Sequence, residues 1–596
     1  MGNTTSSTNG DGVQIYSSGD VLVTSGAGTI SISGIATGGY NAVRIVNSNI
    51  IAGTGLISIT GTTNSASSYD GVRLEQVTSG TMSINSSGAL TINGIGGSAH
   101  YGVEIYGAGS ISVAGDISIT GQNANRNYGV YINDNRVIQT SAGNISVTAE
   151  GTAGMYLYGS LVAGNSLTAP TSGGAISIVA TGNSAKGLEI NSGSLISYGA
   201  ISVTSTASAN HAFYLHGTGA KVLSSSGITV NATAGNWGLT MYDNSFIQAT
   251  GGNISITSNG SGGGLYMGTT GGIYASSNTA SPTATPTAGG TLTINATGTS
   301  QYGIQMSSGS LVSNGAMSIT ASGAGVYQGM YVYGAGTFKA VGDITINTTN
   351  TGATWALYLD SSRILQSTAG NISITASGGY GVYINGGGIV AGNDITTPIS
   401  GGTITINSAS SANDISGAAL RIDADGTKII AYGDITIYAN GTALGLNTAN
   451  QQGHGVILYG SSQVIRSYRG NLTITGYANH ADASVNGWGA SISGGITLWS
   501  GSDILRAYGN VTLKGVSMGG IGMFLTYAAG TGGGVTADTG NVAIDGLSNS
   551  GYAATYIRLP VTATLGSVFI SGAGNGTGGI YQDAWYGSVS AKTDIS

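Results

Sequence analysis

The chain is expected to be all-β: a single-stranded, right-handed parallel β-helix of about 19 rungs and three faces, without substantial helices. Three observations predict this. A strand pattern of the form Gly-x-Ile-Ser-Ile-x returns from Gly28 to Gly566, roughly every 28 residues. A second pattern, typified by Tyr380-Gly381-Val382-Tyr383-Ile384, follows it in fixed order. Gly, Asn, Ser and Ala fill the stretches between.

The first strand appears as GTISIS at Gly28, GLISIT at Gly55, GDISIT at Gly115, GNISVT at Gly143 and GNISIT at Gly370, with a variant GITVNA at Gly227. Its period-two alternation sends one set of side chains inward and the other outward. The second strand carries the apolar pairs Val43/Ile45, Val72/Leu74, Val103/Ile105, Val130/Ile132, Met155/Leu157, Leu188/Ile190, Phe213/Leu215, Leu265/Met267, Leu357/Leu359, Val382/Ile384 and Val456/Leu458. A weaker third segment comes next, as at Ser160 and Ile389. The closest copies, at Gly174 and Gly199, leave room for three short strands and three corners, so the chain turns through three faces and stacks on itself in parallel. Hairpins would need regular two-residue turns, and a propeller would need larger, equal blades.

Length alone would allow several domains, but a solenoid grows without enlarging its core. Residues 1–18 are expected to form a polar lead-in or first partial rung. Residues 19–470 form the regular shaft, with a loop insertion near 275–288. Residues 471–596 form a looser section whose longer loops carry His480, Trp488 and Trp499, with Trp585 and Tyr586 near the end.

Charge is sparse: 16 Lys and Arg against 23 Asp and Glu, a formal net charge of -7. No basic stripe exists to track a nucleic-acid backbone. No apolar run approaches the length of a transmembrane helix, and the opening Met1-Gly2-Asn3-Thr4 is no signal peptide. Cysteine is absent, which suits a secreted bacterial protein among others.

The outward position between the second strand's apolar pair is rich in tyrosine: Tyr131, Tyr156, Tyr214, Tyr266, Tyr331, Tyr358 and Tyr383. Arg44, Arg73, Glu104, Glu189 and Arg421 occupy it elsewhere. A further outward position holds Tyr106, Tyr158, Tyr242, Tyr333 and Tyr459. Aligned rungs would make these an aromatic stripe, suited either to sheet packing or to holding a glycan or protein surface. The first strand's outward column is Ser or Thr, as at Ser31, Ser58, Thr91 and Ser118. It is read as a solvated face rather than an ice-binding array.

Catalytic and metal constellations are not apparent, and no cofactor is expected. Glycoside hydrolysis needs two positioned carboxylates. The closest alternating pair, Asp423 and Asp425 beside Arg421, is read as a solvated strand edge on which both point the same way. His100, His211, His216, His454 and His480 lack zinc-ligand spacing and are read as surface residues. The corner Asp of the GDI copies lacks the tandem run that binds calcium. Triplets such as Asn144-Ile145-Ser146 match glycosylation acceptors by composition alone.

The GNISITA segment at Gly370 and the GGTITIN segment at Gly401 resemble the β-helical shafts of filamentous-haemagglutinin-like adhesins and autotransporter passengers, over about residues 19–572. That resemblance implies a secreted, bacterial, surface-attached structural or adhesive rod. Its partners would be a glycan or protein receptor, or neighbouring copies of itself in a filament or biofilm. Neither a secretion domain nor a membrane barrel is recognisable, which favours a shaft cut from a larger protein. The chain is thus expected to be non-enzymatic. A polysaccharide lyase or hydrolase is the main alternative, and an ice-binding solenoid the lesser one.

Overall fold

The computed structural model describes residues 10–63, 69–77, 82–107, 109–123, 127–268, 270–277, 288–360, 363–411, 418–441, 454–478, 495–498, 503–526, 533–549, 553–575, 579–582 and 588–596. It is a right-handed parallel β-solenoid. The described residues contain strands and no helix. They divide into two compact units, the first running through Ala296 and the second beginning at Thr297.

All nineteen copies of the first pattern are strands. In unit 1, Ile117–Gln122 pairs in parallel with Ile145–Gly151, which pairs with Ile176–Gly182, with no slip of register. In unit 2, Ile344–Asn350, Ile372–Gly378 and Ile404–Ser410 do the same. The second and third strands stack likewise: Ala153–Leu157 follows Tyr128–Ile132, with Val130 against Met155, and Ser160–Ala163 follows Val137–Thr140. Equivalent letters therefore sit directly above one another. A register slip of one residue would turn every buried side chain outward, and the apolar columns resist this. Every apolar pair named for the second strand is buried, most of them completely. Each such side chain contributes roughly 1.5–3 kcal/mol of burial.

The three faces are not equally separate. Val43–Ala52 runs unbroken around a corner and pairs with both Val72–Glu75 and Ser83–Ser86. It turns at Asn47, whose φ of 48° lies in the left-handed region. Asp134, Asn135, Asp243 and Asn244 take that conformation at the same corner in later coils, as Asn and Asp do most readily among residues with a side chain.

The corner between the first and second strands is crowded by backbone. A Cβ on Gly94 would come within 2.0 Å of the Gly102 carbonyl oxygen, and one on Gly61 within 2.0 Å of that of Gly71. The column Gly34, Gly61, Gly94, Gly121 continues as Ala149 and Ala180. Where serine enters, its hydroxyl binds the crowding carbonyl, as Ser205 does to Ala212 at 2.5 Å and Ser258 to Gly264 at 2.7 Å.

In the section 471–596, the described first strands Leu472–Ala478, Val511–Ser517 and Val542–Ser548 keep full register. His480, Trp488, Trp499, Trp585 and Tyr586 lie outside the described residues, as does most of the insertion near 275–288, with Pro282 and Pro286.

Candidate functional site

The midpoint of the second strand forms one column on the outer face of each unit. In unit 1 it runs Arg44, Arg73, Glu104, Tyr131, Tyr156, Glu189, Tyr214, Thr240, Tyr266. In unit 2 it runs Gln305, Tyr331, Tyr358, Tyr383, Arg421, Ile457, Thr497, Phe524, Tyr556 and Tyr581. All seven tyrosines singled out in the sequence occupy this column, and all are half-buried.

Their burial comes from aromatic neighbours at the strand's entry. Tyr101 stacks on Tyr131, with centroids 4.4 Å apart and planes at 11°, and Tyr131 stacks on Tyr156 at 4.9 Å and 14°. Faces packed this way present ring edges and hydroxyls to solvent. In unit 2 the pairs Tyr331–Tyr358 and Tyr358–Tyr383 are edge-to-face, at 89° and 81°. Trp355 lies against Tyr383 with centroids at 5.0 Å, and Trp355, Tyr380, Ala418 and Ile457 make a small apolar cluster on the outside of the coil. Tyr266 packs against Trp237 and Tyr242. Burial raises the Tyr131 phenol to about 12, helped by Tyr156 and Glu104, so this phenol is neutral at physiological pH.

The charged members of the column are less exposed than their alternation with the core suggests. Glu189 is 5% exposed. It accepts from the Tyr128 hydroxyl at 2.8 Å, the Lys186 ammonium at 2.7 Å and His216 Nε2 at 2.9 Å. Burial pushes its carboxyl up, but the hydrogen bonds from His216 and Lys186 outweigh this and hold it down at about 2. Tyr214 is clamped between His211 and His216, with centroid separations of 5.0 and 4.1 Å, and the Lys186 ammonium lies 4.5 Å from its ring centroid. The surface reading of these two histidines is therefore corrected. They are ring-stacking partners, and burial together with Lys186 lowers His211 to about 4. His454 is also buried, at 3% exposed, and lowered to about 4 by desolvation. His480 lies outside the described residues.

Asp423 and Asp425 do not form a pair. The strand ends at Asp423, and the next residue, Ala424, has φ of 64°. The chain therefore turns between them, leaving Asp423 buried and Asp425 exposed. Asp423 Oδ2 accepts from Arg421 Nε and the Tyr383 hydroxyl, each at 2.9 Å. Arg421 in turn lies over Tyr383 and Tyr459. Asp423 thus ties the tyrosine column to the next coil.

Two corner devices escaped the sequence reading. The Asp of each GDI copy starts an amide ladder: Asp116 Oδ1 accepts from Asn144 N at 2.7 Å, and Asn144 Oδ1 from Ala175 N at 2.9 Å. Asp343, Asn371 and Thr403 repeat this. The apparent acceptor triplet at Asn144 is thereby given a structural role. The second device is a buried arginine. Arg136 is fully buried and donates to the carbonyls of Gly107 and Tyr106 at 2.9 Å, and its remaining terminal nitrogen lies 3.2 Å from Met82 Sδ. Arg363 donates to Gly334, Gly309, Tyr333 and Ala335. Desolvation lowers both guanidiniums to about 10. A signal was available: residues 106–172 and 333–400 share Tyr-Gly-Ala-Gly, Gly-Asp-Ile, an Arg three residues before Gln, Ala-Gly-Asn-Ile-Ser and a Pro-containing loop in the same order.

Among the described residues, no group of three or more acids and histidines is placed to hold a metal ion. Among the same residues, no helix is long and apolar enough to cross a membrane. Comparison with family models, curated proteins and solved structures gives no match.

Proposed function

We propose that this chain is a non-enzymatic extracellular scaffold, a structural or adhesive shaft of a bacterial surface protein. Its outer tyrosine columns would touch a glycan or protein receptor, or a neighbouring copy. The observation that supports this most is the in-register repetition of phenols on the second strand of both units, at Tyr131 and Tyr156 and at Tyr331, Tyr358 and Tyr383. Phenols offer rigid apolar edges and a hydroxyl at little entropic cost. The β-solenoid supplies the fixed spacing.

The unit 2 segment is the better contact surface. Its edge-to-face pairs leave phenol faces turned in different directions, whereas the unit 1 rings cover one another. Glycan-array binding and adhesion of the intact chain to cells test the proposal. The double variant Tyr358→Ala/Tyr383→Ala should lose at least tenfold in affinity for any captured partner, the loss of about 1.4 kcal/mol. Tyr131→Ala/Tyr156→Ala should lose less. Full binding by the unit 2 double variant, with its circular dichroism unchanged, would overturn the role given to the column.

A further inference from the structure

The unit 1 column opens on ions rather than phenols, and their number does not balance. Asp70, Glu75 and Glu104 face Arg44 and Arg73. Glu75 engages both arginines: Arg44 Nε lies 3.0 Å from its Oε1 and Arg73 Nε 2.5 Å from its Oε2. Arg73 Nη1 lies against two carboxylates at once, 3.0 Å from Glu104 Oε2 and 3.5 Å from Asp70 Oδ2. Asp70 is 0% exposed and Glu104 6%. Neither of those two oxygens has a hydrogen-bond donor of acceptable geometry. Two buried acceptors that share one cation, and that lack donors of their own, need either a metal or a proton. The guanidinium beside both oxygens disfavours a metal.

We propose that Glu104 and Asp70 share one proton, and that this carboxyl pair clamps the coil of Val72–Glu75 to the coil of Val103–Tyr106. The clamp closes at acidic and neutral pH and loosens in alkaline solution. The groups around it agree. Burial, then the neighbouring Asp70 carboxylate, raise Glu104 to about 8 against the pull of Arg73. Asp70 Oδ1 is occupied, accepting from Tyr101 N at 2.9 Å with His100 Nδ1 at 3.3 Å. Tyr101, at the entry of Glu104's own strand, and Tyr131, from the following coil, lie beside the pair, and burial raises both phenols. Asp11, held by Asn41, and Arg44 complete the ring of charge on the preceding side. Glu104 is raised above its ordinary 4.5. The folded chain therefore holds a proton that the unfolded chain loses, and stability falls as pH rises through that window.

Hydrogen exchange of the full chain tests this, with rates corrected for intrinsic pH dependence. Between pH 6 and pH 9, opening of segments 69–77 and 101–106 should rise about a hundredfold and level off above pH 8, because only the unfolded chain ionises Glu104 below that value. Glu104→Gln, whose amide keeps a donor toward Asp70, should abolish the rise and match the parent's pH 6 protection. An unchanged rise in Glu104→Gln, or none in the parent, would overturn the proposal. If the variant does not fold, infrared titration of the parent decides. A protonated carboxyl band present at pH 7 and lost near pH 8 supports the shared proton, and its absence at pH 7 refutes it.

Discussion

Unit 1 and unit 2 solve the same stretch of solenoid with different side chains. Tyr131 and Tyr156 stand in unit 1 where Tyr358 and Tyr383 stand in unit 2, in the same strand of the same repeated segment. One pair is stacked at 14°, the other edge-to-face at 81°. The cause lies in the neighbours. The unit 1 pair is bracketed in its column by Glu104 and Glu189, and Tyr101 lies flat on its first ring. The unit 2 pair follows Tyr331 and is flanked by Trp355 and Tyr380, whose bulk packs against Tyr383 and fills the space beside it. The backbone fixes the spacing of a ladder, but the residues beside it decide whether faces or edges meet.

The buried arginines give the strongest way to break the comparison, because they are the same device with different loads. Arg363 satisfies four carbonyls and Arg136 two. An orphaned buried acceptor costs about 1–3 kcal/mol, partly offset by relief of the guanidinium's own desolvation. Arg363→Met should therefore cost about 4 kcal/mol and Arg136→Met about 2 kcal/mol. Denaturant-dependent hydrogen exchange of the coils carrying Gly334 and Gly107 measures each locally. Equal losses would mean that filled volume, not carbonyl satisfaction, holds these corners.

Acid should separate the two segments next. His211 is kept neutral down to about 4 from an ordinary 6.5. The unfolded chain takes up that proton first, so stability falls as pH drops through the window. Glu189, held at about 2, adds a loss that begins below its ordinary 4.5 and is complete once the pH has fallen through about 2. The segment Ala153–His216 should open up to about a hundredfold more at pH 4 than at pH 7. Trp355–Asn385, which lacks these groups, should change little. His211→Gln should flatten the difference, and a parallel response in both segments would remove the charge account.

The architecture was legible because it is written in columns: inward Ile, Leu, Val or Met residues along the first strands and an apolar pair at nearly every second strand repeat too often to be accidental. The site was legible only in part. Tyr131 and Tyr383 could be placed in one column by alternation, but their half-buried state depends on Tyr101 and Trp355, which lie at the strand entry and follow no period of two. Glu104 and Glu189 look like solvated charges for the same reason. Asp423 and Asp425 misled because alternation assumes a strand, and the left-handed Ala424 ends one between them. Arg136 and Arg363 look like surface cations until the carbonyls of the preceding coil are seen around them.

The smallest expected effect is the most discriminating, because the amide ladder is common to both units. Asp116 and Asp343 begin their ladders and need only accept. Asn144 and Asn371 stand second, accepting from the next coil while their own amides lie 3.3 Å from the carboxylate before. A carboxylate at the second position cannot donate back and faces a like charge. Asn144→Asp and Asn371→Asp should each cost less than about 1 kcal/mol at these exposed corners, and by equal amounts. Asp116→Asn and Asp343→Asn should be neutral or slightly stabilising. Asn510, with Asn471 before it and Asn541 after it, should tolerate Asp better than Asn144 does, because an amide rather than a carboxylate precedes it. Thermal melts of these five variants at low and high salt would show it: the penalty at Asn144 and Asn371 should shrink as salt screens the paired carboxylates, while that at Asn510 should not. A salt-independent penalty at all three would leave the lost donor as the whole cause.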